Sequence, residues 1–147
     1  MALTFSEYLL RDFSVEQIDT TLIEFGATGR ARFPAESRAY FHLVLTGTAL
    51  LELKETRQSI ELRAGDFALL LYGASHMLGD ARSSRSRIIH ACEAWQPAEE
   101  PAFLKMSGPP GGPLVLSGVI QLTRVLRNAP VTRALPHMIC LSMSGST

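Results

Sequence analysis

From residue 17 onward, short apolar runs alternate with polar or glycine-marked breaks, a pattern of strands rather than helices. Ile18, Thr20 and Leu22 alternate with Asp19, Thr21 and Ile23, and Gly26 and Gly29 mark turns after them. Arg30 to Arg38 is polar and contains Pro34, which predicts a loop or an edge strand. Ala39 to Leu45 is apolar on both faces, so both faces of that strand are expected to be covered. Thr46-Gly47 breaks it. Ala49, Leu51 and Leu53 then alternate with Leu50, Glu52 and Lys54, and a polar connection at Glu55 to Gln58 leads to Ile60 and Leu62. Gly65-Asp66 is a tight turn before the apolar strand Phe67 to Tyr72, which ends at Gly73. Only the first residues break the pattern: Phe5, Tyr8, Leu9 and Phe13 recur at helical spacing and predict a short N-terminal helix.

The second half continues in strands. Arg82, Arg85 and Arg87 among serines read as a loop, and Arg87 to Trp95 as a strand with Ile88, His90, Cys92 and Ala94 on one face. Gln96 to Pro113 holds five of the chain's eight prolines, so it is expected to be a long surface loop, a mobile segment able to act as a lid. Leu114 to Leu122 returns to strand character, Pro130 to Leu135 suits one helical turn, and His137 to Leu141 a last short strand. Seven or more short strands with so little helix predict an all-β sandwich or barrel.

Composition narrows the partners. The 147 residues suit one domain with a proper core, and the formal net charge is zero. A nucleic-acid-binding chain carries a basic excess, so direct binding to nucleic acid is not expected. No apolar run is long enough to span a bilayer and the start lacks a signal-peptide pattern, which points to the cytoplasm. Cys92 and Cys140 form neither a metal pair nor a disulfide framework, and both are expected to be buried, reduced thiols.

One stretch carries a family signature. Gly65, five residues, Leu71, one residue, Gly73, two residues and His76 resembles the second motif of the cupins, with Leu71 in place of its proline. Phe41-His-Leu-Val-Leu-Thr-Gly47 resembles the strand that closes the first motif, and Ala64-Gly65-Asp66 the turn between them. Together with Arg32-Phe33-Pro34 and Ala134-Leu135-Pro136-His137-Met138-Ile139, the order is similar to the N-terminal, cupin-type sensor domain of AraC-family transcription regulators. The resemblance implies a cupin-like double-stranded β-helix, or jelly-roll barrel, forming a single domain over residues 1–147 with its core at roughly 17–141. Such regulators continue into helix-turn-helix units. None is present here, so the chain is expected to be a stand-alone sensor-like cupin or a piece of a longer regulator.

The resemblance also implies a departure. Cupin enzymes hold a divalent metal through two histidines and a glutamate of the first motif and the histidine of the second. The glutamate position falls on Tyr40, and Arg32 to Glu36 contains no histidine, so only His76 remains of the four. One imidazole is not a metal site. No metal, cofactor or catalytic residue is therefore expected, although His42, His76 and His90 could converge in a three-histidine site of another kind.

With the family's strand facing, Tyr40, His42 and Val44 point into the barrel, joined by His76 from beyond the Gly73 turn. With Tyr72 and His90 they form the expected ligand-binding set for a small organic molecule. Plainer readings stand beside this: His42 as a core histidine bonded to a backbone carbonyl, His90 packed beside Cys92, and Tyr72 or Trp95 as buried or interface aromatics. Phe41, Leu43 and Leu45 face outward and need cover from the N-terminal helix or a partner subunit, hence an expected homodimer. The sequence thus predicts a non-enzymatic, small-molecule-binding cupin domain. Its rivals are a metal-dependent cupin oxygenase or isomerase and a protein-interaction module whose barrel is filled by its own side chains.

Overall fold

A computed structural model of the chain describes residues 13–82, 102–106, 109–124 and 138–142. They form ten strands: β1 (Phe13–Glu24), β2 (Arg30–Phe33), β3 (Ala39–Thr46), β4 (Thr48–Leu53), β5 (Ser59–Arg63), β6 (Asp66–Leu70), β7 (His76–Asp80), β8 (Ala102–Lys105), β9 (Leu114–Arg124) and β10 (Met138–Ser142). The six-stranded sheet runs β10-β6-β3-β9-β1-β8 and the four-stranded sheet β2-β7-β4-β5. Every pairing is antiparallel except β1 with β8. The expected all-β jelly-roll architecture is present.

Alternation decides which side chains meet. On β4, Ala49, Leu51 and Leu53 are buried while Thr48, Leu50 and Glu52 are half-buried, as the period of two requires. On β3, Tyr40 and Val44 join the main core with Ile23, Phe33, Leu51, Leu70, Leu78, Val115 and Val119, which come from both sheets. The opposite face of β3 forms a second apolar cluster: Ala39 and Phe41 pack with Leu69 of β6, and partly buried Leu116, Ile120 and Ile139 surround them. Phe41 lies across β9 at Gly118, where a Cβ would come within 3 Å of its ring. The outward apolar face is thus largely covered at Phe41, whereas Leu45, at 42% exposure, is not.

Two glycines of the family signature do geometric work. Gly65 and Gly73 both hold positive φ, at 92° and 62°. Gly65 closes the β5–β6 turn, where the Asp66 carboxylate accepts the Arg63 amide at 2.8 Å. Gly73 ends the β6 segment and accepts the Glu36 amide at 2.8 Å, which ties the connection before β7 to the one before β3. At the β7 exit, the Asp80 carboxylate accepts the Thr28 amide and an Arg82 guanidinium N–H, each at 2.8 Å, while Arg82 also donates to the Gly111 carbonyl.

Two expectations are corrected. Gln96 to Pro113 is not one irregular loop, because β8 lies within it and pairs in parallel with Thr21 to Glu24 of β1. The prolines flank this strand rather than interrupt it, so their count misled. Cys140 is exposed, not buried: among the described residues β10 pairs with β6 alone, and an apolar run with one partner strand is left open on its other side. Phe13, counted into the N-terminal helix, instead opens β1, while the rest of that helix, the strand from Arg87 to Trp95 with His90 and Cys92, Arg85, and the turn at Pro130 lie outside the described residues.

Candidate functional site

At the centre of the barrel two histidines meet. His42 stands on the inner face of β3, flanked by Tyr40 and Val44, and His76 opens β7 just after the Gly73 turn. Both rings are wholly buried, and their Nε2 atoms lie 2.7 Å apart, so one hydrogen bond joins the two sheets through the core. His42 Nδ1 is 2.7 Å from Ser117 Oγ on β9, and His76 Nδ1 is 2.8 Å from the Ala74 carbonyl oxygen.

These partners fix every proton. A carbonyl only accepts, so His76 carries its proton on Nδ1 and donates it to Ala74. Its Nε2 is then an acceptor, and His42 donates to it from Nε2. His42 Nδ1 in turn accepts the Ser117 hydroxyl proton. The result is a directed chain from Ser117 through His42 and His76 to Ala74, with both imidazoles neutral. Burial favours the same state. It pushes His42 well below the usual histidine range, helped by the neighbouring His76, and pushes His76 down to about 4 against the opposing pull of the Ala74 carbonyl.

Aromatic rings enclose the pair. Phe33, at the end of β2, stacks on His76 with centroids 4.8 Å apart and planes 1° from parallel, and meets His42 edge-on at 4.8 Å. Tyr40 meets His76 edge-on at 4.9 Å and donates its hydroxyl proton to the Pro34 carbonyl at 2.6 Å. Burial, with the nearby Glu36 carboxylate, pushes the Tyr40 phenol up to about 12, so it stays protonated at neutral pH.

Four of the six expected residues therefore converge: Tyr40, His42, Val44 and His76 are all buried in one inner-face cluster. Tyr72 is half-buried in the turn before Gly73, and His90 lies outside the described residues. Sequence reasoning missed Ser117, Ala74 and the stacking role of Phe33. The signal for Ser117 was present as a lone polar residue at an inner position of the run Leu114 to Ile120. Neither histidine takes the simple form of a core imidazole bonded only to a carbonyl.

The metal of cupin enzymes does not fit this donor set. Each acceptor lone pair of the two rings is engaged, at His42 Nδ1 by Ser117 and at His76 Nε2 by His42. Two histidines sharing a zinc-like ion at 2.0–2.1 Å bonds would hold their nitrogens about 3.3 Å apart. The observed 2.7 Å is shorter. Tyr40 fills the position of the family's glutamate with its hydroxyl already donating. Among the described residues no group of three or more His, Cys, Asp or Glu side chains is arranged to hold a metal ion.

No curated protein sequence matches the chain. Among solved structures, it is similar to ToxT from Vibrio cholerae strain SCE256, bound to an unsaturated fatty acid, at 12% identity over 89% of this chain and 41% of that one, with a TM-score of 0.46. It is also similar to YhaK from Escherichia coli, at 12% identity over 98% of this chain and 49% of that one, with a TM-score of 0.47. The chain spans less than half the length of either. The Cupin family matches residues 7–147, nearly the whole sequence. The recognition drawn from the Gly65 to His76 motif is borne out, and the chain belongs to the cupin family.

Proposed function

We propose that this cupin domain binds a small organic molecule in its barrel without transforming it, in the manner of the effector-sensing and dimerising half of an AraC-type transcription regulator. The carrying observation is the neutral His42–His76 chain. Among the described residues, the two buried imidazoles leave no free ring lone pair to serve as a general base or a metal ligand. The interior does offer polar points on an apolar wall, the make-up of a small-molecule site. The ligand would lie against the ring faces of Tyr40, His42 and His76 and the side chain of Val44, with Tyr72 towards the rim. The order of motifs from Arg32-Phe33-Pro34 to His137-Met138-Ile139 supports the sensor role.

The complete pairing of the ring nitrogens also favours a second reading, a barrel filled by its own side chains that serves as an interaction module. A thermal-shift screen with aromatic and aliphatic compounds, including fatty acids, separates the two. A binder whose shift disappears in the His42→Ala/His76→Ala double variant supports the site. A shift that survives both replacements removes the assignment, and no shift with any compound favours the filled barrel. Elemental analysis of protein purified without chelators covers the enzymatic rival, since stoichiometric Fe, Mn, Ni or Zn overturns the non-enzymatic reading. Sedimentation at high micromolar concentration tests the homodimer, and a monomer there counts against it.

A further inference from the structure

The histidine chain has a further polar neighbour on the inner face of the six-stranded sheet. Thr21 of β1 pairs with Ser117 of β9, and Ser117 pairs with His42 of β3. Residues directly opposite across a sheet share a face, so Thr21, Ser117 and His42 form one row across the inner face of the six-stranded sheet. Thr21 alternates with Ile23, a wholly buried member of the main core, and is itself only 4% exposed. Its hydroxyl nevertheless makes no hydrogen bond among the described residues. A buried hydroxyl without a partner is uncommon and costly, and marks a place where a ligand can supply one.

The chemistry beside it is directional. Because the Ser117 proton is committed to His42 Nδ1, the Ser117 oxygen can face a ligand only as an acceptor. Thr21 can donate and accept. The surrounding inner-face residues, Ile23, Val44, Val115 and Val119, are uncharged and buried. The nearest charge on the inner face of β1 is the Asp19 carboxylate, already bound to Arg38 at 3.3 Å. Nothing in this row compensates an anion, and Asp19 opposes one.

We propose that Thr21 and Ser117 form the orienting part of the barrel site and take the hydroxyl or N–H group of a neutral organic molecule, such as an alcohol or a phenol, rather than a carboxylate. The histidine pair acts behind them by fixing the direction of the Ser117 hydroxyl. This rests on the barrel interior being the binding site, and adds which residues select the ligand and for what group.

The test uses phenol and its methyl ether anisole, and octanol and octanoate, followed by saturation-transfer NMR at pH 7 on the whole chain. Wild-type protein should bind each hydroxyl compound more tightly than its ether or carboxylate counterpart. Thr21→Val should weaken binding of phenol and octanol about tenfold, the scale of one lost hydrogen bond, and leave anisole unchanged. In the absence of any probe, Thr21→Val should raise the melting temperature by roughly 3 °C, because it removes a buried hydroxyl that has no partner among the described residues. A lowered melting temperature shows that the hydroxyl has an internal partner and overturns the inference. So does unchanged phenol and octanol binding in Thr21→Val, or tighter binding of octanoate than octanol, both of which leave the barrel standing as a ligand site. If wild-type protein binds none of the four compounds, the ligand-binding reading falls along with the inference.

Discussion

Phe33 and His76 lie face to face at 4.8 Å with their ring planes 1° from parallel, and they belong to paired positions on neighbouring strands, β2 and β7. The arrangement holds His76 flat, so that its Nδ1 reaches Ala74 and its Nε2 reaches His42. Phe33 is wholly buried. Replacing it by Ala should cost about 3–5 kcal/mol of stability, measured by urea unfolding, through lost burial and the cavity left behind. A loss below about 1 kcal/mol would show that the site collapses around the smaller side chain and that the stack does not set the position of His76.

The histidine chain should behave as a unit. Changing His42 alone to Leu leaves His76 Nε2 buried without a donor, a penalty of about 1–3 kcal/mol. Changing both to Leu removes donor and acceptor together, so the double variant should be less destabilised than the sum of the singles. A double-mutant cycle in urea that returns a coupling near zero would contradict the 2.7 Å contact as an energetic link.

Acid should weaken the fold before the carboxylates titrate. The folded-state values of both histidines lie below the unfolded value of about 6.5, so the unfolded chain binds more protons as pH falls. The stability this gives is fully present above pH ~6.5 and is lost as pH drops towards the folded value of His76, about 4. For His76 alone the loss by pH 5 should reach about 2 kcal/mol. Urea midpoints measured from pH 7 to pH 5 should fall steeply in the wild type and much less in the doubly Leu-substituted variant. Parallel slopes would mean that other groups carry the acid response.

Gly73→Ala should be among the most damaging small substitutions. A Cβ there would overlap the Glu36 carbonyl oxygen, and the positive φ of 62° adds strain for any residue with a side chain. A loss above about 2 kcal/mol in urea unfolding is expected, because neither backbone can retreat easily. A wild-type midpoint would show that the Gly73–Glu36 junction yields.

How far the sequence foretold this site depends on distance along the chain. His76 was legible because a local glycine spacing sets its turn, and Tyr40, His42 and Val44 because strand alternation assigns their face. Ser117 showed only as a lone polar residue in an apolar run and Thr21 not at all, since their shared meaning arises only when β9 enters between β3 and β1. The same holds for β8: a four-residue strand among prolines exists because β1 offers it an edge, not because its own residues demand it. Cys140 reversed its expected burial for the complementary reason, since hydrophobicity predicts a strand but not on how many sides that strand is paired.

The place of β9 has a consequence for how the molecule acquires its shape. β9 is the fifth of the six-stranded sheet's strands to be made, yet it sits between β3 and β1, pairing Phe41 with Gly118 and Ile18 with Ile120. Until Leu114–Arg124 has been synthesised, β1 and β3 each expose an open edge that another chain can occupy. Such long-range closure gives slow folding, on the scale of milliseconds to seconds, and a window for aggregation during synthesis. A nascent chain halted before Leu114 is therefore a poor folder however intact its β4–β5 and β6–β7 segments are, and the ribosome must release about four-fifths of this domain before its interior can close.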